Sequence, residues 1–253
     1  MKQNLIFSAV LIFLFGSVIL LGQDMNIEAG KLYNEGNSLL KAGNFQGAIA
    51  NYDKALAIEK DYRIYYQKGV AQKKSRDLEG AKNSFEECLK LNSNFEGGYN
   101  ALGGVYFSMG NYLEAINNFG KVLSSTKKES VKKKVKKNIS LAYAKLGSKE
   151  VSNGNSQKAI EYLTKAVENN NYDAAYLSLA KLYSELGDWD KSINASEKAL
   201  KHRSKISSGG PHYYMGVSYK GKGDMVKAKE MFEKAKSDAT YRKTAEYELS
   251  LIN

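Results

Sequence analysis

Apolar and small side chains return along the chain in one recurring phrase, and its spacing organises everything else. The phrase reads Gly43-Asn44-Phe45-Gln46-Gly47-Ala48-Ile49, then Gly110-Asn111-Tyr112-Leu113-Glu114-Ala115-Ile116, then Gly154-Asn155-Ser156-Gln157-Lys158-Ala159-Ile160. Diverged copies begin at Arg76-Asp77-Leu78, Gly187-Asp188-Trp189 and Gly223-Asp224-Met225. A small residue follows each turn at Ala48, Ala81, Ala115, Ala159, Ser192 and Ala228, in steps of 33, 34, 44, 33 and 36 residues. Twelve residues before each stands a second small column: Gly36, Gly69, Gly103, Gly147, Ala180 and Gly216. Seven residues after comes a third: Ala55, Cys88, Val122, Ala166, Ala199 and Ala235. Between the first and third columns stand Tyr52, Phe85, Phe119, Leu163, Ser196 and Phe232, large in every copy but the fifth.

Recurrence at three- and four-residue intervals on both sides of each turn is helix periodicity. The turn glycines suit the left-handed residue that ends a helix. The Asn or Asp after each can accept from free backbone N–H groups and start the next helix. Each unit is therefore predicted to be helix, tight turn, helix. Small residues let the two helices approach closely, and large ones fill the space around that contact. No stretch alternates with period two over a useful length, so no strand is predicted.

A period near 34, two small columns and an aromatic after the second resemble the tetratricopeptide repeat family over residues 29 to 238. The first helix of the third copy, Tyr99-Asn100-Ala101-Leu102-Gly103-Gly104-Val105-Tyr106, matches as well. The resemblance implies an all-α, right-handed α-solenoid of six helix-turn-helix repeats. Departures are few. The family often has Pro after the second helix, where this chain has Lys60, Ser93, Asn171 and Ser204; the fifth repeat puts Ser192 and Ser196 in apolar columns.

The expected organisation is a leader over 1–24, repeats one to three over 29–126, a Lys-rich helical extension over 127–139, repeats four to six over 140–239, and a capping helix over 240–253. Lys2 followed by an uncharged run from Leu5 to Gly22 has the format of a secretory signal. The run is also just long enough to span a bilayer. A cleaved signal and an uncleaved anchor both fit, and both predict export, to the periplasm or to the outer side of the cytoplasmic membrane. The 44-residue step holds an insertion, Lys127-Lys128-Glu129-Ser130-Val131-Lys132-Lys133-Lys134-Val135-Lys136-Lys137, through which Val131, Val135, Ile139, Ala142 and Leu146 continue a helical stripe. Tyr241, Ala245, Leu249 and Ile252 form one face of a terminal helix that would cover the open end of the array.

Composition changes little in this picture. A formal net charge of +11 favours acidic partners or anionic surfaces. A single cysteine excludes an intramolecular disulfide framework and a Cys-based zinc cage, and Cys88 occupies a small buried column. His202 and His212 lack carboxylate or Cys neighbours at metal-ligand spacing, and His212 stands at a packed position. No nucleophile elbow, phosphate-binding loop or metalloprotease helix is present in the sequence; Gly209-Gly210-Pro211 and Gly221-Lys222-Gly223 read as loop and turn punctuation. No catalytic residue, metal, cofactor or nucleic-acid partner is expected.

What remains is surface. The family resemblance implies that first helices line a concave groove holding a partner peptide or helix. Carried onto this chain, that groove shows Tyr33, Asn37 and Lys41, then Arg63, Tyr66, Val70, Lys73 and Lys74, then Asn100, Gly104 and Phe107. Leu141, Ala144, Val151, Leu177 and Lys181 continue it to Tyr213, Val217 and Lys220. Aromatic and basic groups together suit a segment with acidic and apolar side chains. Some family members clamp the terminal carboxylate of a chaperone tail. Here only Asn37 matches that motif, with Tyr33, Gln67, Gly97 and Ala101 at its other positions, so the clamp is not expected. A second expectation is docking of Lys132, Lys133, Lys134, Lys136 and Lys137 to an anionic membrane surface or acidic polymer. A third is self-association through an exposed repeat face.

Overall fold

The computed structural model describes residues 25–252. The leader expected over 1–24 lies outside them. The described chain is helical throughout, with no strand. Six helix pairs follow one another: α1 (Ile27–Lys41) with α2 (Phe45–Ile58), α3 (Tyr62–Lys74) with α4 (Leu78–Leu91), and α5 (Glu96–Ser108) with α6 (Tyr112–Ser125). Then come α7 (Glu129–Ser152) with α8 (Ser156–Asn169), α9 (Asp173–Glu185) with α10 (Trp189–Lys201), and α11 (Gly209–Gly221) with α12 (Met225–Lys236). α13 (Arg242–Ser250) packs on α12 through Ala245 and Leu249. Each helix packs chiefly on its chain neighbours, which is the contact pattern of an α-solenoid.

The columns explain the pairing. A Cβ placed on Gly36 would lie 2.6 Å from the Tyr52 ring, and one on Gly69 would lie 2.7 Å from Phe85. The same holds for Gly103 on Phe119 at 2.8 Å, Gly147 on Leu163 at 2.6 Å and Gly216 on Phe232 at 2.6 Å. The large residue of the second helix thus seats directly on the backbone of the first. The fifth pair inverts the arrangement. Ala180 replaces glycine, the opposing column holds Ser196, and the buried Ser192 hydroxyl donates to the Ala180 carbonyl at 2.8 Å.

Gly43, Gly110, Gly154, Gly187 and Gly223 all take φ between 74° and 82°. Arg76 takes the same conformation at φ 67°, a position where L side chains are strained. The turn is therefore imposed by the packing of the pair and not by glycine alone. Capping follows expectation in half the turns: Asn44, Asp77 and Asp224 accept from the third N–H of the following helix. Asn111, Asn155 and Asp188 make no such bond. Two of these side chains are engaged elsewhere, Asn155 donating to Glu150 and Asp188 pairing with Lys191.

The Lys-rich stretch forms the first half of α7, whose buried Val135 and Ile139 pack on Ala115, Phe119 and Val122. The reading of Gly209-Gly210-Pro211 as a loop is corrected: these residues form the buried first turn of α11. A Cβ on Gly210 would lie 2.9 Å from the Tyr241 hydroxyl and 3.0 Å from Leu177 Cδ1, so glycine permits a close approach there. Proline costs no hydrogen bond in a first helical turn. The preceding loop is anchored by Asp173, fully buried at the start of α9. Its Oδ2 accepts from the backbone N–H groups of Ser204, Lys205 and Ile206 at 2.6, 2.7 and 3.3 Å, and from the Ser204 hydroxyl. Burial alone would push this carboxyl up; those donors outweigh it and hold its pKa at about 2.

Candidate functional site

First helices of successive repeats line the inner face, and its hollows lie between α3 and α9. One, of about 240 Å³, is bounded by Lys73 of α3, Gly104, Phe107 and Ser108 of α5, Phe119 of α6, and Asn138 and Leu141 of α7. A second, of about 110 Å³, lies between α7 and α9 along Leu141, Ala144, Lys145, Ser148, Ala174 and Ser178. Leu141 is a wall of both, so the two form one trough across repeats two to five.

Five of the groove residues expected from the sequence line this trough: Lys73, Gly104, Phe107, Leu141 and Ala144. Several others are committed to the fold. Tyr66 is wedged edge-on against Phe95 at 5.1 Å and tilted on Phe85 at 5.7 Å, with its hydroxyl pKa raised by burial. Val70 packs in the same cluster. Tyr33 leans on Tyr52 at 6.1 Å, and Asn37 Oδ1 accepts the Tyr52 hydroxyl at 2.8 Å. Tyr213 sits among Phe232, Tyr214 and Tyr241.

The expected cations divide sharply. Arg63 closes on Asp61, the α3 N-cap, with Nη2–Oδ2 at 2.6 Å and Nε–Oδ1 at 2.9 Å. Lys220 pairs with Glu248 of α13 at 2.7 Å, and Lys181 with Glu185 at 3.8 Å. Lys74 lies over the Phe45 ring at 5.9 Å. Lys41 and Asn100 are exposed and line neither hollow. Lys73 differs from all of them. It is half-buried, and among the described residues its ammonium has no carboxylate or hydrogen-bond partner. Burial pushes its pKa down.

Asn138, Ser108, Lys145, Ser148, Ala174 and Ser178 were missed by reasoning in repeat register. Asn138, Leu141, Lys145 and Ser148 follow one another at helical spacing on α7, which is the signal that would have found them. On the patch, Lys132 is held by Glu129 at 2.6 Å. Lys133, Lys134, Lys136 and Lys137 are exposed and form no ion pair among the described residues. The histidines lie apart from the trough. His202 stacks on Tyr176 at 6.0 Å, and the buried His212 Nδ1 has no hydrogen-bond partner among the described residues. Burial, with Lys234 and Arg203 nearby, lowers the His212 pKa. Among the described residues no cluster of His, Cys, Asp or Glu could hold a metal ion. Nor is any helix there long and apolar enough to cross a membrane.

Helix pairs stacked in a row, with a trough lined by their first members, define a helical-repeat interaction scaffold. The chain belongs to the tetratricopeptide repeat family, whose profiles match residues 29–62, 62–95, 97–129, 144–211 and 212–239. It is similar to heat shock protein STI1 of Saccharomyces cerevisiae, 27% identical over 101 residues, covering 39% of this chain and 17% of that protein. TPR repeat-containing protein MJ1428 of Methanocaldococcus jannaschii is 24% identical over 265 residues, covering 94% of this chain and 44% of that one. The chain thus spans less than half the length of either relative. Among solved structures, MamA 41-end from Desulfovibrio magneticus RS-1 superposes with a TM-score of 0.52 at 21% identity, covering 72% of this chain and 99% of that one, a likeness of fold. Tetratricopeptide arrays are protein–protein interaction modules, and that is the class of function the fold carries.

Proposed function

We propose that this chain is a non-enzymatic adaptor that holds a segment of another protein, extended or helical, in the trough between α3 and α9. The observation that supports this is the arrangement of the trough itself: apolar walls at Phe107 and Leu141, small floor residues at Gly104 and Ala144, and polar groups at its rim. Pockets of this kind take apolar anchors while a few placed polar groups fix orientation. A hollow of about 350 Å³ on the other side, between α8, α9 and α10, is less suited. Its lysines are already engaged, Lys191 with Asp188 and over Tyr183, Lys198 over Tyr176.

The adaptor is proposed to act outside the cytoplasm, in the cell envelope, on the strength of the charged and apolar pattern over residues 1–24. A photo-crosslinking residue placed at Ser108, in the trough, is expected to capture a partner in intact cells, while one at Glu197, exposed on α10, does not. Equal capture from both positions would remove the trough from the mechanism. An alkaline phosphatase fusion at the C-terminus is expected to be active, which requires export.

A second reading is favoured by the four exposed, unpaired lysines at 133, 134, 136 and 137: contact with an anionic surface, worth about 1 kcal/mol per Lys close to it. Replacing them and Lys132 with Gln should abolish salt-sensitive binding to anionic vesicles. Binding that keeps its strength and ignores salt would exclude this role.

A further inference from the structure

Among the lysines of the inner face that meet no carboxylate of the described residues, Lys73 is half-buried where Lys41 and Lys145 are exposed. Arg63, Lys181 and Lys220 each meet a carboxylate of the chain itself. Among the described residues Lys73 meets none, although it reaches across from α3 to α5 and is half-buried there. Its path depends on Gly104, where a Cβ would stand 2.9 Å from the ammonium nitrogen. Around the head group the lining is neutral, with Ser108 and Asn138 as the polar neighbours and Phe107, Phe119 and Leu141 as apolar walls. Among the described residues no acidic one lines this hollow.

A cation withdrawn from water without a counter-charge carries a desolvation cost that an incoming anion relieves. In the same hollow, apolar walls exclude water and strengthen the pairing. From this juxtaposition we infer that the hollow between α3, α5 and α7 is a carboxylate-binding subsite: Lys73 pairs an acidic group of the bound segment, with Asn138 and Ser108 as neutral hydrogen-bonding neighbours, while an adjacent apolar side chain packs between Phe107 and Leu141. The inference rests on the trough being the partner site. It involves none of Tyr33, Asn37, Gln67, Gly97 and Ala101, the positions at which chaperone-tail binders carry their clamp. The lowered pKa of Lys73 agrees with a desolvated, unpaired head group.

The test uses the full chain and a display library of random 12-residue peptides. Recovered sequences that compete with one another should share an Asp or Glu beside an apolar residue. One such peptide, amidated at its C-terminus, is then measured by fluorescence anisotropy. Lys73→Gln and replacement of the peptide's acid by its amide should each weaken binding about tenfold, and the two together should cost little more than either alone. Lys73→Arg should retain most of the affinity, and Gly104→Ala, which displaces the ammonium, should lose it. If only the unamidated peptide binds, the carboxylate is the terminal one. Binding that Phe107→Ala weakens and Lys73→Gln leaves unchanged would overturn the subsite and keep the trough. Indifference to both, or a library yielding no binder, would overturn the trough with it.

Discussion

Two alanine substitutions, chemically identical, should move stability in opposite directions. Gly120, in the middle of α6, has nothing within 4 Å of where a Cβ would stand. Gly120→Ala therefore gains only the helix-propensity difference, about 1 kcal/mol. Gly103 in α5 gains the same term and meets an obstacle: its Cβ would lie 2.8 Å from Phe119 Cε1, 2.9 Å from Cδ1 and 3.2 Å from Cζ. Phe119 is 2% exposed and packed in one cluster with Val122, Val135 and Ile139, so the ring yields only by disturbing that packing. Overpacking of this kind costs about 1–3 kcal/mol, so after the propensity gain Gly103→Ala is destabilising by up to about 2 kcal/mol. Phe119→Ala removes the obstacle, at a cost of about 3–5 kcal/mol, and in that background Gly103→Ala should become neutral or favourable. The cycle then shows a coupling of about 1–3 kcal/mol between the two sites. Hydrogen exchange of the α5 and α6 amides, read with urea unfolding by circular dichroism, measures each corner. Additive changes, or a Gly103→Ala protein as stabilised as Gly120→Ala, would refute the account of how paired helices nest.

Further outcomes follow from single residues. Arg76→Gly should relieve a strained left-handed residue and raise stability by about 1 kcal/mol, while Arg76→Lys gives no gain in urea midpoint. Asp173, with its pKa depressed to about 2 from an ordinary 3.8, contributes stability that is present above about pH 4 and lost as pH falls toward 2. Asp173→Asn should cost about 2 kcal/mol at neutral pH and expose the amides of Ser204 to Ile206 to exchange. Cys88 is fully buried, and burial, with the Asp61 charge, pushes its thiol up to about 12. A thiol reagent at pH 8 should leave the folded chain untouched and label it fully in denaturant.

The fold was legible because six copies of one phrase reinforce each other. A single Gly with a phenylalanine sixteen residues on means little; Gly36 with Tyr52, Gly69 with Phe85, Gly103 with Phe119 and Gly216 with Phe232 mean a crossing of two helices. Even the exception was in phase, since Ser196 stands opposite Ala180 where the small residue has grown. The first turn of α11 was misread because Gly209-Gly210-Pro211 has the composition of a loop. Tyr241 and Asp238, from the far side of the next helix, decide its conformation. The trough was only partly legible. Repeat register assigns a residue to a face, and it does not say whether that side chain is already engaged. Arg63 is answered two residues away by Asp61, a pairing visible in the sequence, but Lys220 is answered by Glu248, 28 residues on.

That distinction matters more for function than the overall charge. A chain with a formal charge of +11 invites the expectation of an inner face uniformly attractive to acids. Instead several of its cations are already answered, Arg63 by Asp61 at the start of α3 and Lys220 by Glu248 of the capping helix. The fifth repeat narrows it as well: α9 packs directly on α11, with Leu177 close to the bare backbone of Gly210. Unpaired charge in the hollow beside Phe107 is thus confined to Lys73, where small floor residues leave room. A basic patch attracts any polyanion, and its affinity collapses with salt. One desolvated cation beside fixed apolar walls instead demands an acid and an anchor at a set distance. On the proposed carboxylate subsite, partner selection by this array would depend on which cations the fold has left unmatched, and far less on how many it carries.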